Sequence, residues 1–288
     1  MSLGVDPIIS NLFFTLSLIP HASLPIAPNA PSSAWIFYPF VSVLITFFEE
    51  TKEDIHITIT SLINQTYPKT RYEVLMVVEP NDEATKRYVC DSLTELHRVG
   101  IMATVIQSDG KKRLKPHALN IGLRYAKGEV CAFYDASDYI EPDQLHKAIV
   151  LMVQERKDAV QAIVLRHGLS FLSRFLLFDT LLWYRKYLPI TLRFAKGIPL
   201  SGEGLFIRTN ALREVGYFPE VLTEDAEMGL LLTEKAKAFA LLDSVVIEKA
   251  APFKFQLTVL RKPLVVVGLG CLKAASRAQF SCPGFGPR

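Results

Sequence analysis

The apolar positions along the chain alternate between two rhythms. Phe40–Phe48, FVSVLITFF, is an almost unbroken β-branched and aromatic run, the pattern of a strand buried on both faces. Ile55, Ile59, Leu62 and Ile63 then recur at helical spacing, with Asp54 placed to cap the helix and QTYP ending it. Tyr72–Glu79 reads as a second buried strand. Residues 81–100 read as a helix closed by Gly100, and 101–107 as a third strand. Leu119, Gly122, Leu123 and Ala126 share one helical face in a segment closed by Gly128. A fourth strand covers 129–135, a helix carries Leu145, Ile149 and Met152, and a fifth strand covers 159–165. This β-α-β-α order predicts an α/β fold, a mostly parallel central sheet covered by helices.

Past residue 165 the pattern changes. Residues 169–194 are broadly apolar but carry Arg174, Asp179, Arg185, Lys186 and Arg193, which excludes a simple membrane span. Two arrangements fit: a helix lying in a bilayer interface with Trp183 and Tyr184 at the boundary, or a helix packed over the sheet. Further on, Gly202 and Gly204 suit a close backbone approach. Thr223 is a natural cap for a helix with Glu224 and Asp225 in its first turn.

Composition narrows the function classes. The 288 residues suffice for one large α/β domain or two small ones. Half are hydrophobic and mean hydropathy is +0.23, which points to a deep core or a membrane-facing surface. A net charge of +3 is too small for a nucleic-acid partner. Cys90, Cys131, Cys271 and Cys282 have no C-x-x-C spacing, which argues against zinc and fits a reducing compartment. The apolar stretch at 8–20 is too short to span a bilayer and lacks a basic flank. Residues 1–34 therefore read as an arm, 35–250 as the domain and 251–288 as a tail.

Ligands of such sheets sit beyond the carboxyl ends of the strands. Here those ends are acidic. The first strand runs into Glu49 and Glu50, the second into Glu79 and NDEAT, and the fourth into Asp135, Asp138, Glu141 and Asp143. Crowded carboxylates repel and raise one another's pKa, and a cation relieves that.

The order VSVLITFFEE, SLINQTYP, YEVLMVVEPNDEAT, KPHALNIGLRYAKGE, YDASDYIEPDQL, SGEGLFIRTNALREVGYF and TEDAEMG resembles the family 2 glycosyltransferases, in particular their membrane-associated, cellulose-synthase-like branch. The similarity covers about Pro39 to Lys249. It implies a GT-A fold and a nucleotide-diphosphate sugar donor, UDP-glucose by preference. Thr46, Phe47, Phe48 and Glu50 match the donor-binding segment, where an aromatic can stack on a base. Glu79 matches the acidic position facing the pyrimidine, and Lys115 the lysine near the diphosphate. Asp135 matches the first aspartate of the DxD motif. Ser137 stands at its third position, with Asp138 one residue on as the substitute ligand for Mg²⁺ or Mn²⁺. Asp225 matches the general base of the TED motif, with Glu224 beside it, so an inverting single displacement is implied. The expected partners are the donor and a glycan or lipid acceptor, met peripherally on the cytoplasmic face of a membrane.

Two departures from the family pattern, Ser137 in the DxD motif and the C-terminal segment, set the degenerate alternative. The processive members continue with Q-x-x-R-W and membrane helices, whereas here Gln256 and Arg261 are misspaced and no Trp follows. VVVGLGCLKAA lacks the third glycine of a dinucleotide fingerprint and leaves no room for a βαβ unit. The alternatives are a polyprenyl-phosphate sugar transferase of the same fold and a catalytically degenerate sugar-nucleotide-binding domain.

Overall fold

The structure is a computed structural model, and it describes residues 38–167 and 171–249. The predicted arm, the tail, Cys271, Cys282, Gln256, Arg261 and the glycine-rich decoy lie outside the described residues.

One sheet of eight strands forms the centre, in the order β3-β2-β1-β4-β7-β6-β8-β5. The first half is the expected parallel one: β1 (Val41–Phe47), β2 (Tyr72–Val78), β3 (Met102–Gln107) and β4 (Val130–Tyr134). β1 pairs in parallel with both β2 and β4. Beyond β4 the sheet becomes mixed. β7 (Leu205–Arg208) runs antiparallel to β4 and to β6 (Ala159–His167). β8 (Phe239–Lys249) is parallel to β6, and the two-residue β5 (Tyr139–Ile140) is antiparallel to β8. Four of the seven pairings are parallel. β5, β7 and β8 were not predicted. β5 and β7 are too short to show a period of two, and β8 follows a helix with no turn signal ahead of it.

Helices cover both faces. α1 (Lys52–Ile63) and α2 (Glu83–Arg98) pack where Val41, Val43, Ile45 and Phe47 point, in one core cluster. α3 (Lys115–Leu123) packs on the opposite face with Leu44, Leu75 and Val77, in a second cluster. α4 (Gln144–Gln154), α7 (Thr209–Val215) and α8 (Glu224–Glu234) complete the described helices together with a broken pair. In that pair α5 (Phe171–Leu182) and α6 (Leu188–Ala195) are joined by a π segment at Trp183–Tyr187. Leu177, Leu181, Tyr184 and Leu188 join the second core cluster, so one face of the pair packs on the body of the protein. Tyr184 is therefore not at a membrane boundary: its ring is 4% exposed.

Two local expectations change. The cap of α1 is Thr51, not Asp54. The Thr51 hydroxyl accepts from Asp54 N–H at 3.2 Å and donates to the Asp54 carboxylate at 2.6 Å. Gly128 does not close α3, which ends at Leu123. It is glycine because the chain passes tightly against β1 there. A Cβ on Gly128 would lie 2.4 Å from Ser42 N. The Gly128 N–H also donates to Ser42 Oγ at 2.8 Å, and Ser42 Oγ donates to the buried Glu73 carboxylate. Gly128→Ala should therefore overpack the start of β1 and cost about 1–3 kcal/mol. Chemical denaturation of wild type and variant checks it, and an unchanged midpoint would contradict the packing.

Candidate functional site

The parallel register puts the ends of β1, β2, β3 and β4 on one rim. Phe47 pairs with Val78, Val78 with Gln107 and Ile45 with Tyr134. The loops that leave these strands form a cleft in two parts.

The first part is a cavity of about 140 Å³ lined by Phe48, Glu79, Asn81, Asp82, Gly110 and Arg113 among others. Phe48 is 43% exposed, and the Arg113 guanidinium carbon stands 5.8 Å from the centre of its ring. The Glu79 carboxylate is buried and accepts from the Ser108 hydroxyl at 2.8 Å. Glu49 turns the chain with a φ of 55°, held by its N–H donating to Asp82 Oδ2 at 2.6 Å. Thr46, on β1, is partly exposed. Phe47 points the other way into the core, 1% exposed, because side chains alternate along a strand. A stacking role thus falls to Phe48 alone. Glu50 is pushed up to about 7, first by burial and then by the charges of Asp54, Asp135 and Asp82.

The second part centres on Lys115, the first residue of α3, and its ion pair with the Asp135 carboxylate. Burial works against the Lys115 charge. The surrounding Asp135, Glu203 and Glu224 outweigh it and raise the ammonium pKa. The loop after β4 is fixed from inside. Asp138 Oδ2 accepts from Asp135 N–H at 2.8 Å, and the Thr58 hydroxyl of α1 donates to Ala136 O at 2.6 Å. Asp138 is fully buried, and its Oδ1 has no hydrogen-bond partner. Burial first, and then the charge of Asp135, lift its carboxyl far above the carboxylate range.

Residues 201–203 close the cleft from the β7 side. A Cβ on Gly202 would lie 3.1 Å from Lys115 Nζ and 4.0 Å from Asp225 Oδ2, so this glycine lets the backbone pass beside both charged groups. The segment is held in turn: Ser201 N–H donates to Gln161 Oε1, and Gln161 Nε2 donates to Glu203 O, each at 2.8 Å. Tyr184 donates to the Ser201 hydroxyl at 2.9 Å. Glu203 carries a buried Oε2 with no partner. Burial and then Asp135, Asp138 and Glu248 raise its pKa strongly.

Glu224 and Asp225 open α8. Thr223 occupies the cap position, but its hydroxyl makes no capping bond. Asp225 Oδ1 accepts from Ala226 N–H at 2.8 Å. Glu224 is raised by burial and then by Asp225. The structure thus brings Lys115, Asp135, Glu224 and Asp225 together. Asp138 stands behind them as an interior support of the loop. Among the described residues no three His, Cys, Asp or Glu side chains are grouped to hold a metal on their own.

Several residues of the cleft were missed from sequence: Asn81, Asp82, Ser108, Gly110, Arg113 and Glu203. Two signals were there: Asn81 and Asp82 open the acidic NDEAT stretch after the second strand, and two glycines flank Glu203. Cys131 is buried as expected and hydrogen-bonded to Thr209 Oγ1 at 3.4 Å. Burial pushes its thiol up to about 11. Cys90 is exposed.

Comparison with known proteins fits this architecture. The chain is 26% identical over 197 residues to a beta-monoglucosyldiacylglycerol synthase of Trichormus variabilis, covering 66% of this chain and 40% of that protein. It is 26% identical over 194 residues to the probable glycosyltransferase YdaM of Bacillus subtilis, covering 66% of this chain and 46% of that one. The chain thus spans less than half the length of these relatives. Among solved structures, the mannosyltransferase PcManGT of Pyrobaculum calidifontis, in complex with GDP-Man and Mn²⁺, superposes with a TM-score of 0.67 at 20% identity, covering 98% of this chain and 73% of that chain. TarS of S. aureus (residues 1–349), in complex with UDP-GlcNAc, gives 0.58 at 19% identity, covering 75% of this chain and 60% of that chain. These likenesses establish the GT-A fold. The model of the family described as "Glycosyltransferase like family 2" matches residues 39–262, and the chain belongs to that family.

Proposed function

We propose that this chain transfers a hexose from a nucleotide-diphosphate sugar, UDP-glucose by preference, to a lipid or glycan acceptor, with inversion at the anomeric carbon. The observation that carries the reading is Gly202. Its bare Cα lets the backbone pass within reach of both Lys115, which pairs with Asp135, and Asp225. In this reading Phe48 stacks on the base and the Glu79 carboxylate accepts a hydrogen bond from it. Lys115 faces the diphosphate and stabilises the charge that builds on it as the sugar leaves. Asp225 takes the proton of the acceptor hydroxyl as that oxygen attacks the anomeric carbon. Glu224, raised by burial, keeps a proton more readily and positions the helix start.

The residues fit a divalent cation, Mg²⁺ or Mn²⁺. Such cations are often held by one or two carboxylates plus substrate phosphates. Asp135 presents a partly exposed carboxylate, and Asp138 Oδ1 behind it has no hydrogen-bond partner. When bound, the cation would neutralise diphosphate charge. The relatives support the class of reaction: one is named for a glucosyl lipid, and one structural neighbour is a complex with Mn²⁺.

A membrane surface as the working place, on the cytoplasmic side in this proposal, draws its support for membrane contact alone from the outer face of α5 and α6. Phe178, Leu182, Ile190 and Phe194 are 42%, 39%, 55% and 79% exposed, with Arg193 and Lys196 exposed beside the last two. Arg185 is turned to the sheet and pairs with Asp243 at 2.8 Å. No helix among the described residues is long and apolar enough to cross a membrane. This face favours a lipid as the acceptor.

Three outcomes test the proposal. UDP-glucose with Mn²⁺ should raise the melting temperature, since ligand binding stabilises the native state. Asp135→Ala should lose the Mn²⁺-dependent part of that shift, and an identical shift in the variant removes Asp135 from cation binding. Asp225→Asn should lower turnover by about 10²–10⁴-fold while donor affinity stays near wild type. Turnover within a few-fold of wild type would leave Asp225 a helix-capping residue only. Finally, the protein should float with anionic vesicles at low salt, and Ile190→Glu with Phe194→Glu should abolish it. Wild type left wholly in the lower fraction would restrict the α5–α6 pair to a packing role.

A further inference from the structure

His117 engages two loops at once. It stands on α3 two residues past Lys115. Its Nε2 lies 2.8 Å from Asp109 Oδ1, and its Nδ1 lies 2.7 Å from Glu220 Oε1. Asp109 opens the loop whose Gly110 and Arg113 line the base cavity. Glu220 lies in the segment that leads into Glu224 and Asp225. One imidazole therefore spans the donor side and the acceptor side of the cleft, from partners 8 and 103 residues away.

The chemistry fixes the state of the ring. An ionised carboxylate only accepts hydrogen bonds, and a neutral imidazole has one N–H to give. Two carboxylates, one on each nitrogen, are both satisfied only by the imidazolium. The neighbourhood agrees. The bonds to Glu220 and then Asp109 raise His117, and bonding to His117 is the first cause lowering both Asp109 and Glu220. The other charged groups facing this cluster are Lys111, 3.6 Å from Asp109, and Lys112, which pairs with Glu220.

The Glu220 segment needs such a hold. Its base is fixed by Asn120 of α3, which donates to Phe218 O at 2.8 Å and accepts from Phe218 N–H at 3.0 Å. Past Phe218 the chain is exposed, Val221 at 44% and Leu222 at 90%, so little apolar burial anchors it.

We infer that His117 is a positioning residue which, as the imidazolium, ties the donor-base loop to the loop carrying the TED carboxylates, so that the transfer site is closed at lower pH and loosened as pH rises. The term transfer site rests on the function proposed above; the tie itself rests on geometry alone. The sign follows from the linkage. A histidine raised on folding contributes fully below its ordinary value near 6.5 and loses the contribution as pH climbs through its raised folded value. Above that, the neutral ring keeps one N–H and holds only one of the two carboxylates at a time, while Lys112 still pairs with Glu220.

Hydrogen exchange on the full chain at about pH 6 and about pH 9, corrected for intrinsic rates, reads the tie in residues 217–223 and 108–113. In wild type, protection of both segments should fall by roughly tenfold over that range, the scale of one hydrogen bond to a charged group. His117→Gln, which can donate to one carboxylate only and cannot be charged, should show the loosened level at both pH values. Glu220→Gln should loosen 217–223 at both pH values and leave 108–113 as in wild type. If the chain is active, the alkaline fall in kcat/KM should vanish in His117→Gln. Equal protection at both pH values in wild type, or an unchanged pH response in His117→Gln, overturns the tie. A pH-dependent tie in a chain that transfers no sugar upholds the tie and overturns the transfer reading instead.

Discussion

Lys115 stands among Asp135, Glu203 and Glu224 at the start of α3, and the rest of the cleft depends on that one ammonium. Asp135, Asp138, Glu203 and Glu224 share a small, partly dry volume with this lysine. Full ionisation of all four would leave several uncompensated charges at low dielectric, which proteins avoid by protonation or pairing. The cluster uses both. Asp138 and Glu203, each with a buried oxygen that nothing bonds, are driven toward the neutral form. Asp135 is the carboxylate that Lys115 pairs directly. The cleft thus presents a carboxylate paired with Lys115, backed by two acids that burial and neighbouring charge push toward protonation.

The sheet explains why these groups meet. The parallel half, β3-β2-β1-β4, sends all its loops to one rim and builds the donor side. The antiparallel β7 reverses that logic. Its amino end lies at the same rim, so the 201–204 segment enters the cleft from the opposite direction. The hinge between the halves is tight. Gly204 has a φ of +57°, and a Cβ there would lie 2.9 Å from Ala162 Cβ. The switch from parallel to antiparallel pairing therefore brings the 201–204 segment, with Gly202, next to Lys115 and Asp225.

Sequence made the parallel half legible because strands buried on both faces read as continuous apolar runs. The same property hid their phase. Nothing in FVSVLITFF says whether Phe47 or Phe48 faces the core, since Leu44 and Ile45 are both buried, and the structure sends Phe47 inward. Lys115, Asp135 and Asp225 were legible through the order of the motifs. Arg113, Glu203 and His117 were not, because their partners come from other elements: Phe48 for Arg113, Asp135 and Asp138 for Glu203, and Glu220 for His117. The Thr51 cap was missed for a smaller reason. Thr51 and Asp54 hydrogen-bond to one another at the helix start, and either residue reads as a cap from sequence alone.

The π segment gives the exposed helix pair a physical route into the cleft. One extra residue per turn at Trp183–Tyr187 changes the phase between α5 and α6. Tyr184 uses that turn to point inward, where its hydroxyl holds Ser201, next to the glycine that faces Lys115 and Asp225. The Tyr184 ring is almost wholly buried, so its position cannot shift without moving the helix that carries it. Arg185, one residue on, pairs with Asp243 of β8 and fixes the segment to the sheet from the other side. Leu177, Leu181, Tyr184 and Leu188 form the inward stripe of the pair, so Ile190 and Phe194 face solvent while a tyrosine from its middle supports the backbone of the cleft.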